Sequence, residues 1–369
     1  MDRQRKKVMV VFGTRPEAIK MAPLVLELQN HAEAFETISC STGQHREMLD
    51  QVLELFGIEP THELDVMVPN QTLAGLTSRL ITRLDEVLEA EKPDVVLVHG
   101  DTATAFAGAI AAYYHQVPVG HVEAGLRTYD RYQPFPEEMN RQVVDTMATF
   151  MFAPTRTSAD HLRKENRDKD GIIITGNTVI DALYMVLEKP CELPIDLDWD
   201  NKRVILVTAH RRENFGEPLE NICEALLQIA EKYEDAEIVY PVHYNPNVRK
   251  VVYEKLADKD RIHLLDPLNY LEFSHFMNKS YLILTDSGGI QEEAPALGVP
   301  VVVLRDVTER PEAVEAGTVR VVGTDTQCIV TCVDELMDGA AHAAMSQAIN
   351  PYGDGKAVGR IVNALKEAL

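Results

Sequence analysis

The sequence predicts an α/β protein built as two doubly wound, Rossmann-like domains. Three observations carry that prediction. The 369 residues exceed what one ordinary core fills. Short, continuously apolar runs recur between longer helical patterns, which is how parallel strands covered on both faces read. These runs fall into two sets of six, separated by residues 188–196, a stretch without periodicity that holds Pro190 and Pro194.

The first set comprises residues 8–12, 37–41, 95–98, 117–121, 149–153 and 172–175; the second comprises 203–208, 237–242, 262–265, 281–285, 299–304 and 319–322. The expected domains are residues 1–185 and 186–354, with a last helix near 355–369 packing back on the first. Sheets of this kind bind ligands beyond the carboxyl ends of their strands, so two facing domains are expected to form a cleft.

Lys and Arg number 36 against 58 Asp and Glu, a net charge of −22. Nucleic acid and anionic membrane demand a basic face and are excluded as expected partners. An anionic small molecule remains compatible if arginine and lysine gather locally. No apolar run is long enough to span a membrane, and the first residues lead into a strand rather than a signal-peptide core, so a cytoplasmic protein is expected. Five cysteines without framework spacing fit a reducing compartment. Cys328 and Cys332, four apart on an apolar stretch, read as small buried hydrophobes rather than a metal or redox pair.

The strand ends carry the chemistry. The first strand runs into Gly13-Thr14-Arg15-Pro16-Glu17, with Pro16 suited to a first helical position, Arg15 on the turn and Lys20 further along the helix. A tight turn with solvated charges is the alternative, the lesser one for Arg15. The third strand ends in His99-Gly100-Asp101-Thr102 and the fourth in His121-Val122-Glu123-Ala124-Gly125-Leu126-Arg127. Asp101 alone would serve as a helix cap, but a carboxylate beyond two strands exceeds what capping needs. In Pro134-Phe135-Pro136-Glu137 the prolines predict an extended approach to a helix that Glu137 opens. Arg141 follows one turn later, where an i,i+4 surface pair is the alternative.

In the second half, residues 203–208 end in Ala209-His210-Arg211-Arg212, a compact anion-seeking cluster. His243, after Tyr240-Pro241-Val242, reads equally as a core histidine or a ligand contact. The most informative run is 281–285 followed by Asp286-Ser287-Gly288-Gly289-Ile290-Gln291-Glu292-Glu293. A strand ends in a two-glycine turn that opens a helix, whose unpartnered N–H groups suit a phosphate that glycine lets approach. Carboxylates one turn later suggest a nucleotide whose sugar hydroxyls need acceptors. Arg305 and Arg310 follow the next strand. There is no G-x-G-x-x-G, Walker A, G-x-S-x-G or H-E-x-x-H, and the H-x-E at 121–123 lacks its P-C-x-x-C. Neither cofactor nor metal is expected.

Together these segments resemble the non-hydrolysing UDP-N-acetylglucosamine 2-epimerases, a family on the GT-B fold. The matching runs also include Thr42-Gly43-Gln44-His45, Pro136-Glu137-Glu138-Met139-Asn140-Arg141, His210-Arg211-Arg212-Glu213-Asn214 and Thr308-Glu309-Arg310-Pro311-Glu312-Ala313, and together they span nearly the whole chain in order. The resemblance implies reversible conversion of UDP-N-acetylglucosamine to UDP-N-acetylmannosamine through a 2-acetamidoglucal, feeding envelope polysaccharide synthesis. It implies Asp101, Glu123 and Glu137 as acid/base carboxylates, positioned by Lys20 and Arg141. It implies a UDP site of Arg15, His210, Ser287, Gly288, Gly289, Glu293 and Arg310, with His210 also catalytic. A second, activating UDP-N-acetylglucosamine site would use Gln44, Gln71, Glu137, Arg211 and His243, although Asn70 stands where the family motif has arginine. A homodimer is implied as well. Rival readings on the same fold are a hydrolysing epimerase, a UDP-sugar glycosyltransferase and a UDP-sugar sensor without turnover.

Overall fold

The computed structural model of the protein describes residues 5–43 and 46–369. It divides into two compact units, Met1–Met185 with Tyr352–Leu369, and Val186–Pro351. Each is a parallel sheet with helices in the crossovers.

The first unit holds β1 (Lys6–Phe12), β2 (Phe35–Ser41), β3 (His62–Glu63), β4 (Val95–His99), β5 (Val119–Val122), β6 (Phe150–Ala153) and β7 (Ile172–Ile174), in the order β3-β2-β1-β4-β5-β6-β7. Val10 lies opposite Leu97 and His99 opposite Val122, in parallel register. Seven strands stand where the apolar runs predict six. The extra one, β3, is two polar residues at the sheet edge, so no apolar run marks it. Met9, Val11, Val96 and Val98 pack against Leu80 and Leu84 of the helix Leu73–Glu91 and the alanines of the helix Ala103–Tyr114. Each such fully buried aliphatic side chain contributes about 1.5–3 kcal/mol.

The last helix, Ala357–Ala368, belongs to this unit. Its first N–H groups are capped at a distance by Asp181, which accepts from Ala357 (3.2 Å) and Val358 (3.1 Å). Burial of that carboxyl raises its pKa to about 6 despite those two bonds.

The second unit holds β8 (Arg203–Thr208), β9 (Ala236–Pro241), β10 (Ile262–Leu265), β11 (Leu282–Thr285), β12 (Val301–Val303) and β13 (Val319–Val321), in the order β10-β9-β8-β11-β12-β13. Its core joins Ile205 and Val207 to Leu226 and Ile229 of the helix Glu217–Lys232 and to Val333 and Leu336 of the helix Thr326–Met337. Cys332 is buried there, but Cys328 is exposed, because the first turn of its helix projects beyond the core. Among the described residues no group of His, Cys, Asp and Glu is arranged to hold a metal ion, and no helix is long and apolar enough to cross a membrane.

Candidate active site

Each sheet reverses its order once, between β1 and β4 in the first unit and between β8 and β11 in the second. The carboxyl ends beside such a reversal are where doubly wound sheets bind ligands. In the first unit those ends carry Gly13-Thr14-Arg15 and Gly100-Asp101; in the second they carry Ala209-His210 and Asp286-Ser287-Gly288-Gly289.

In the first unit, the helix Arg15–Asn30 starts directly after β1, with Thr14 and Glu17 forming a capping box. Glu17 accepts from the N–H groups of Gly13 (3.1 Å) and Thr14 (2.8 Å) and from the Thr102 hydroxyl (2.6 Å), so it ties the ends of β1 and β4 together. Desolvation outweighs these bonds and raises its pKa to about 7. Arg15 is half-buried and makes no hydrogen bond or ion pair with the described residues. Lys20, on the same helix, is ion-paired with Glu123.

Glu123 follows β5 with φ at +69°, a left-handed backbone that a non-glycine residue adopts at a cost. Its N–H and that of Ala124 both donate to the Phe152 carbonyl at 3.1 Å, which pins the turn to β6. The side chain is 10 % exposed and accepts from Asn177 Nδ2 at 2.9 Å as well as from Lys20. Nε2 of His99 lies 3.7 Å away without a hydrogen bond. Burial of that ring pulls its pKa down to about 3, against the attraction of Glu123.

Asp101 is paired with Arg141 Nη2 at 2.5 Å, and its carbonyl accepts from Asn140 Nδ2 at 2.8 Å. Arg141 therefore does not form the i,i+4 pair with Glu137; it bends toward the strand end and lies 3.5 Å from the buried Glu138. Glu137 opens the helix Glu137–Met147, half-buried and with no side-chain partner among the described residues. Because Asn140 and Arg141 bind Asp101, that helix start is held beside the end of β4. The approach to it is not extended: residues 131–136 form turns and bends with cis bonds before Pro134 and Pro136, an isomer that proline alone tolerates readily. Glu138 shapes this loop by accepting from the N–H groups of Thr128 (3.0 Å) and Tyr129 (3.1 Å).

A buried polar chain supports both carboxylates from behind. His121 lies 2.7 Å from the Gly100 carbonyl through Nε2 and 2.6 Å from Asp145 through Nδ1. Each ring nitrogen thus faces an oxygen, which fixes the plane of the imidazole. Asp145 also pairs with Arg127 at 2.7 Å and accepts from Gly125 N–H at 3.2 Å. Burial opposes ionisation of Asp145, but His121 and Arg127 hold its pKa below the ordinary value. Arg127 reaches Glu165 through two bonds of 2.6 and 2.9 Å.

In the second unit, Asp286 is fully buried, and its Oδ2 accepts from the N–H groups of His210 (2.8 Å) and Arg211 (2.7 Å) and from Asn214 Nδ2 (3.0 Å). The His210 ring is 42 % exposed and stacks on His243, with ring centroids 5.2 Å apart and planes 10° from parallel. Partial burial depresses the His210 pKa, with His243 and Arg211 acting the same way and Asp286 against them. His243 is exposed, which removes the core-histidine reading.

The helix opened by the two glycines is a single α-turn, Ile290–Glu293, continued as the 3-10 segment Ala294–Leu297, where Pro295 has no N–H for a longer α-ladder. Ser287 is fixed by its N–H to Thr285 Oγ1 (2.9 Å) and its carbonyl to Gln291 Nε2 (3.1 Å). Glu293 accepts from the Tyr270 hydroxyl at 2.8 Å. Glu292 is ion-paired with Arg310, so the two carboxylates of that helix have different partners. Of the expected second-site residues, Gln44 lies outside the described residues. Gln71 is held by Arg79, and Asn70 before it has φ at +56°.

Sequence reasoning missed Asn177, which lies 54 residues from the carboxylate it serves. It also gave no role to His99, Glu138, Asp286 or Tyr270. His99, Glu138 and Asp286 stood inside quoted motifs; a polar residue within a strand-end run was the available signal.

Comparison with known proteins identifies the family. The family model for UDP-N-acetylglucosamine 2-epimerase matches residues 26–366. The UDP-N-acetylglucosamine 2-epimerase of Bacillus subtilis is 54 % identical over 363 residues, covering 98 % of this chain and 95 % of that protein. A crystal structure from Listeria monocytogenes superposes with a TM-score of 0.94 at 51 % identity, covering 99 % of this chain and 96 % of its own. The Neisseria meningitidis UDP-GlcNAc 2-epimerase, solved bound to UDP-GlcNAc, gives 0.87 at 51 % identity, with 98 % and 100 % covered. At 13 % identity and a TM-score of 0.65, the glycotransferase of kitacinnamycin shares the fold alone, which is of GT-B type. With a matched model over nearly its whole length and a relative more than half identical, the chain belongs to the UDP-N-acetylglucosamine 2-epimerase family.

Proposed function

We propose that this chain interconverts UDP-N-acetylglucosamine and UDP-N-acetylmannosamine by inverting carbon 2, without net hydrolysis. The observation that carries this reading is the pair of cation-partnered carboxylates, Asp101 with Arg141 and Glu123 with Lys20, at adjacent strand ends. Nucleotide binding alone gives no reason to hold Glu123 on a left-handed backbone.

The hydrogen on carbon 2 has no carbonyl beside it to acidify it. Departure of UDP from carbon 1 supplies the pull instead. As the carbon 1–oxygen bond breaks, the electrons of the carbon 2–hydrogen bond form the double bond of a 2-acetamidoglucal, and the proton passes to a carboxylate. Protonation of carbon 2 from the other face and return of UDP to carbon 1 give the epimer. Asp101, Glu123 and Glu137 are the proton-transfer groups, with Lys20 and Arg141 positioning the first two. Arg15, His210, Ser287, Gly288, Gly289 and Arg310 hold the diphosphate, whose charge as a leaving group strengthens every such contact. Glu293, steadied by Tyr270, accepts from the ribose hydroxyls.

Proton NMR of the protein with UDP-N-acetylglucosamine in deuterated water tests this. The manno isomer is expected, with deuterium at carbon 2 and no free N-acetylmannosamine. Free N-acetylmannosamine and UDP accumulating with turnover would establish the hydrolysing reaction instead. Gln44, Gln71, Glu137, Arg211 and His243 are proposed for a second, activating site. Its signature is a lag from UDP-N-acetylmannosamine alone that added UDP-N-acetylglucosamine abolishes.

A further inference from the structure

The second unit contains a buried carboxylate oxygen with nothing bonded to it. Asp286 is fully buried, and three donors converge on its Oδ2, so the carboxylate plane is fixed. Its other oxygen, Oδ1, has no hydrogen-bond partner. Nδ1 of His210 lies 3.6 Å from that oxygen, longer than a hydrogen bond but within ion-pair range; the other titratable or charged groups beside the carboxylate are Arg211 and the buried Tyr240, whose hydroxyl donates to the Ala209 carbonyl. Leaving a carboxylate oxygen buried and unbonded is costly, and a small rotation of the His210 ring brings Nδ1 into hydrogen-bond range of it.

We propose that Asp286 is a positioning residue that keeps a proton on Nδ1 of His210, leaving Nε2 bare until an anionic diphosphate arrives and draws a second proton onto it. The inference rests on the reading that this unit holds the diphosphate of UDP. The geometry decides which nitrogen does what. Nδ1 is turned to Asp286, while the ring is 42 % exposed. Partial burial of the ring disfavours a standing positive charge more than Asp286 favours one, and His243, stacked on the ring, and Arg211 act in the same direction as burial. With no anion bound the ring is therefore held neutral, with its proton on Nδ1. A diphosphate at Nε2 reverses that balance. The ring takes a proton from solvent and donates from both nitrogens, to the phosphate oxygen and to Asp286, as a charge-assisted pair. A histidine backed by a carboxylate in this way has a defined tautomer and a stabilised imidazolium.

Nitrogen-15 NMR of the histidine rings reads the tautomer directly and needs no variant. The expected spectrum of the ligand-free protein has His210 protonated at Nδ1 and bare at Nε2; the opposite tautomer overturns the proposal. Asp286→Asn keeps an oxygen for the three donors but turns an amide N–H₂ toward Nδ1, so the expected tautomer inverts. Calorimetry of UDP binding in buffers of different ionisation enthalpy supplies the second readout. The natural protein should take up a proton, and Asp286→Asn should take up none and bind UDP about tenfold more weakly. Equal proton uptake by both overturns the proposal, since a purely structural aspartate would not govern it. If the natural protein binds no UDP, the functional reading fails and the proton-uptake step fails with it. The tautomer result then still decides whether Asp286 orients the ring.

Discussion

Lys20 is ion-paired with Glu123, and the carboxylate half of that pair stands on a backbone at φ +69°. Two elements far apart in sequence thus meet at one strained residue. Strain of this kind costs about 1–3 kcal/mol and persists only where the surroundings over-determine it. Here the surroundings are the double hydrogen bond to Phe152, the Asn177 amide and the Lys20 ammonium. If Glu123 transfers a proton, Lys20 sets how readily it does so. Lys20→Met is therefore expected to move the acidic limb of the kcat/KM profile upward by about one pH unit or more, since the cation that favours the ionised carboxylate is gone. A limb that stays in place would remove Lys20 from the machinery.

His99 makes a prediction about stability rather than rate. Its ring is buried and its pKa is pushed down to about 3, whereas the unfolded chain takes up this proton near 6.5. Between those values the unfolded state binds more protons than the folded one. Stability is thus expected to fall as pH drops from 6.5 toward 3, by on the order of 1 kcal/mol per unit from this residue in the middle of that window. His99→Gln leaves a neutral polar group and removes that slope. Urea unfolding at pH 7, 6 and 5 checks it: parallel pH dependences for the two proteins would contradict the assignment.

What the sequence made legible follows from where information is local. The apolar runs marked twelve strands because each is a contiguous pattern, and β3 escaped because two polar residues form none. The strand-end carboxylates were legible for the same reason. What was not legible were the partners: Arg141 had a local candidate in Glu137 but binds Asp101, 40 residues away, because the sheet places the end of β4 under that helix. Likewise the residue pattern alone did not show what Glu292 and Glu293 touch, and in the structure Glu292 meets Arg310 while Glu293 meets Tyr270.

Arg127 belongs to a quoted motif without touching either catalytic candidate. It is buried between Asp145 and Glu165, and Asp145 in turn holds His121 against the Gly100 carbonyl. Removing it leaves the buried Asp145 short of a charge partner. Arg127→Met is expected to cost about 3–5 kcal/mol in urea unfolding. Arg127→Lys should recover little, because one ammonium cannot supply the fork that reaches both carboxylates. Full recovery by lysine would mean that charge alone, not geometry, is what the site needs.

The glycines separate a requirement of the fold from a requirement of the ligand. Gly125 has φ at +86°, and a Cβ there would lie 2.3 Å from the Ser158 carbonyl, so Gly125→Ala must shift backbone and is expected to lower the melting temperature markedly. Gly288 is different. Its φ is not in the left-handed region, and a Cβ would lie 3.8 Å from Arg211 Nη2, an ordinary contact. The fold therefore tolerates alanine at 288. If the turn from Asp286 to Gly289 cradles a diphosphate, the added methyl stands where phosphate oxygens approach the backbone N–H groups. Gly288→Ala is expected to leave the melting temperature within a degree or two and to weaken UDP binding about tenfold or more. Thermal unfolding and calorimetry on the same two samples decide it. Unchanged UDP affinity with unchanged stability would show that the turn is not where the diphosphate sits.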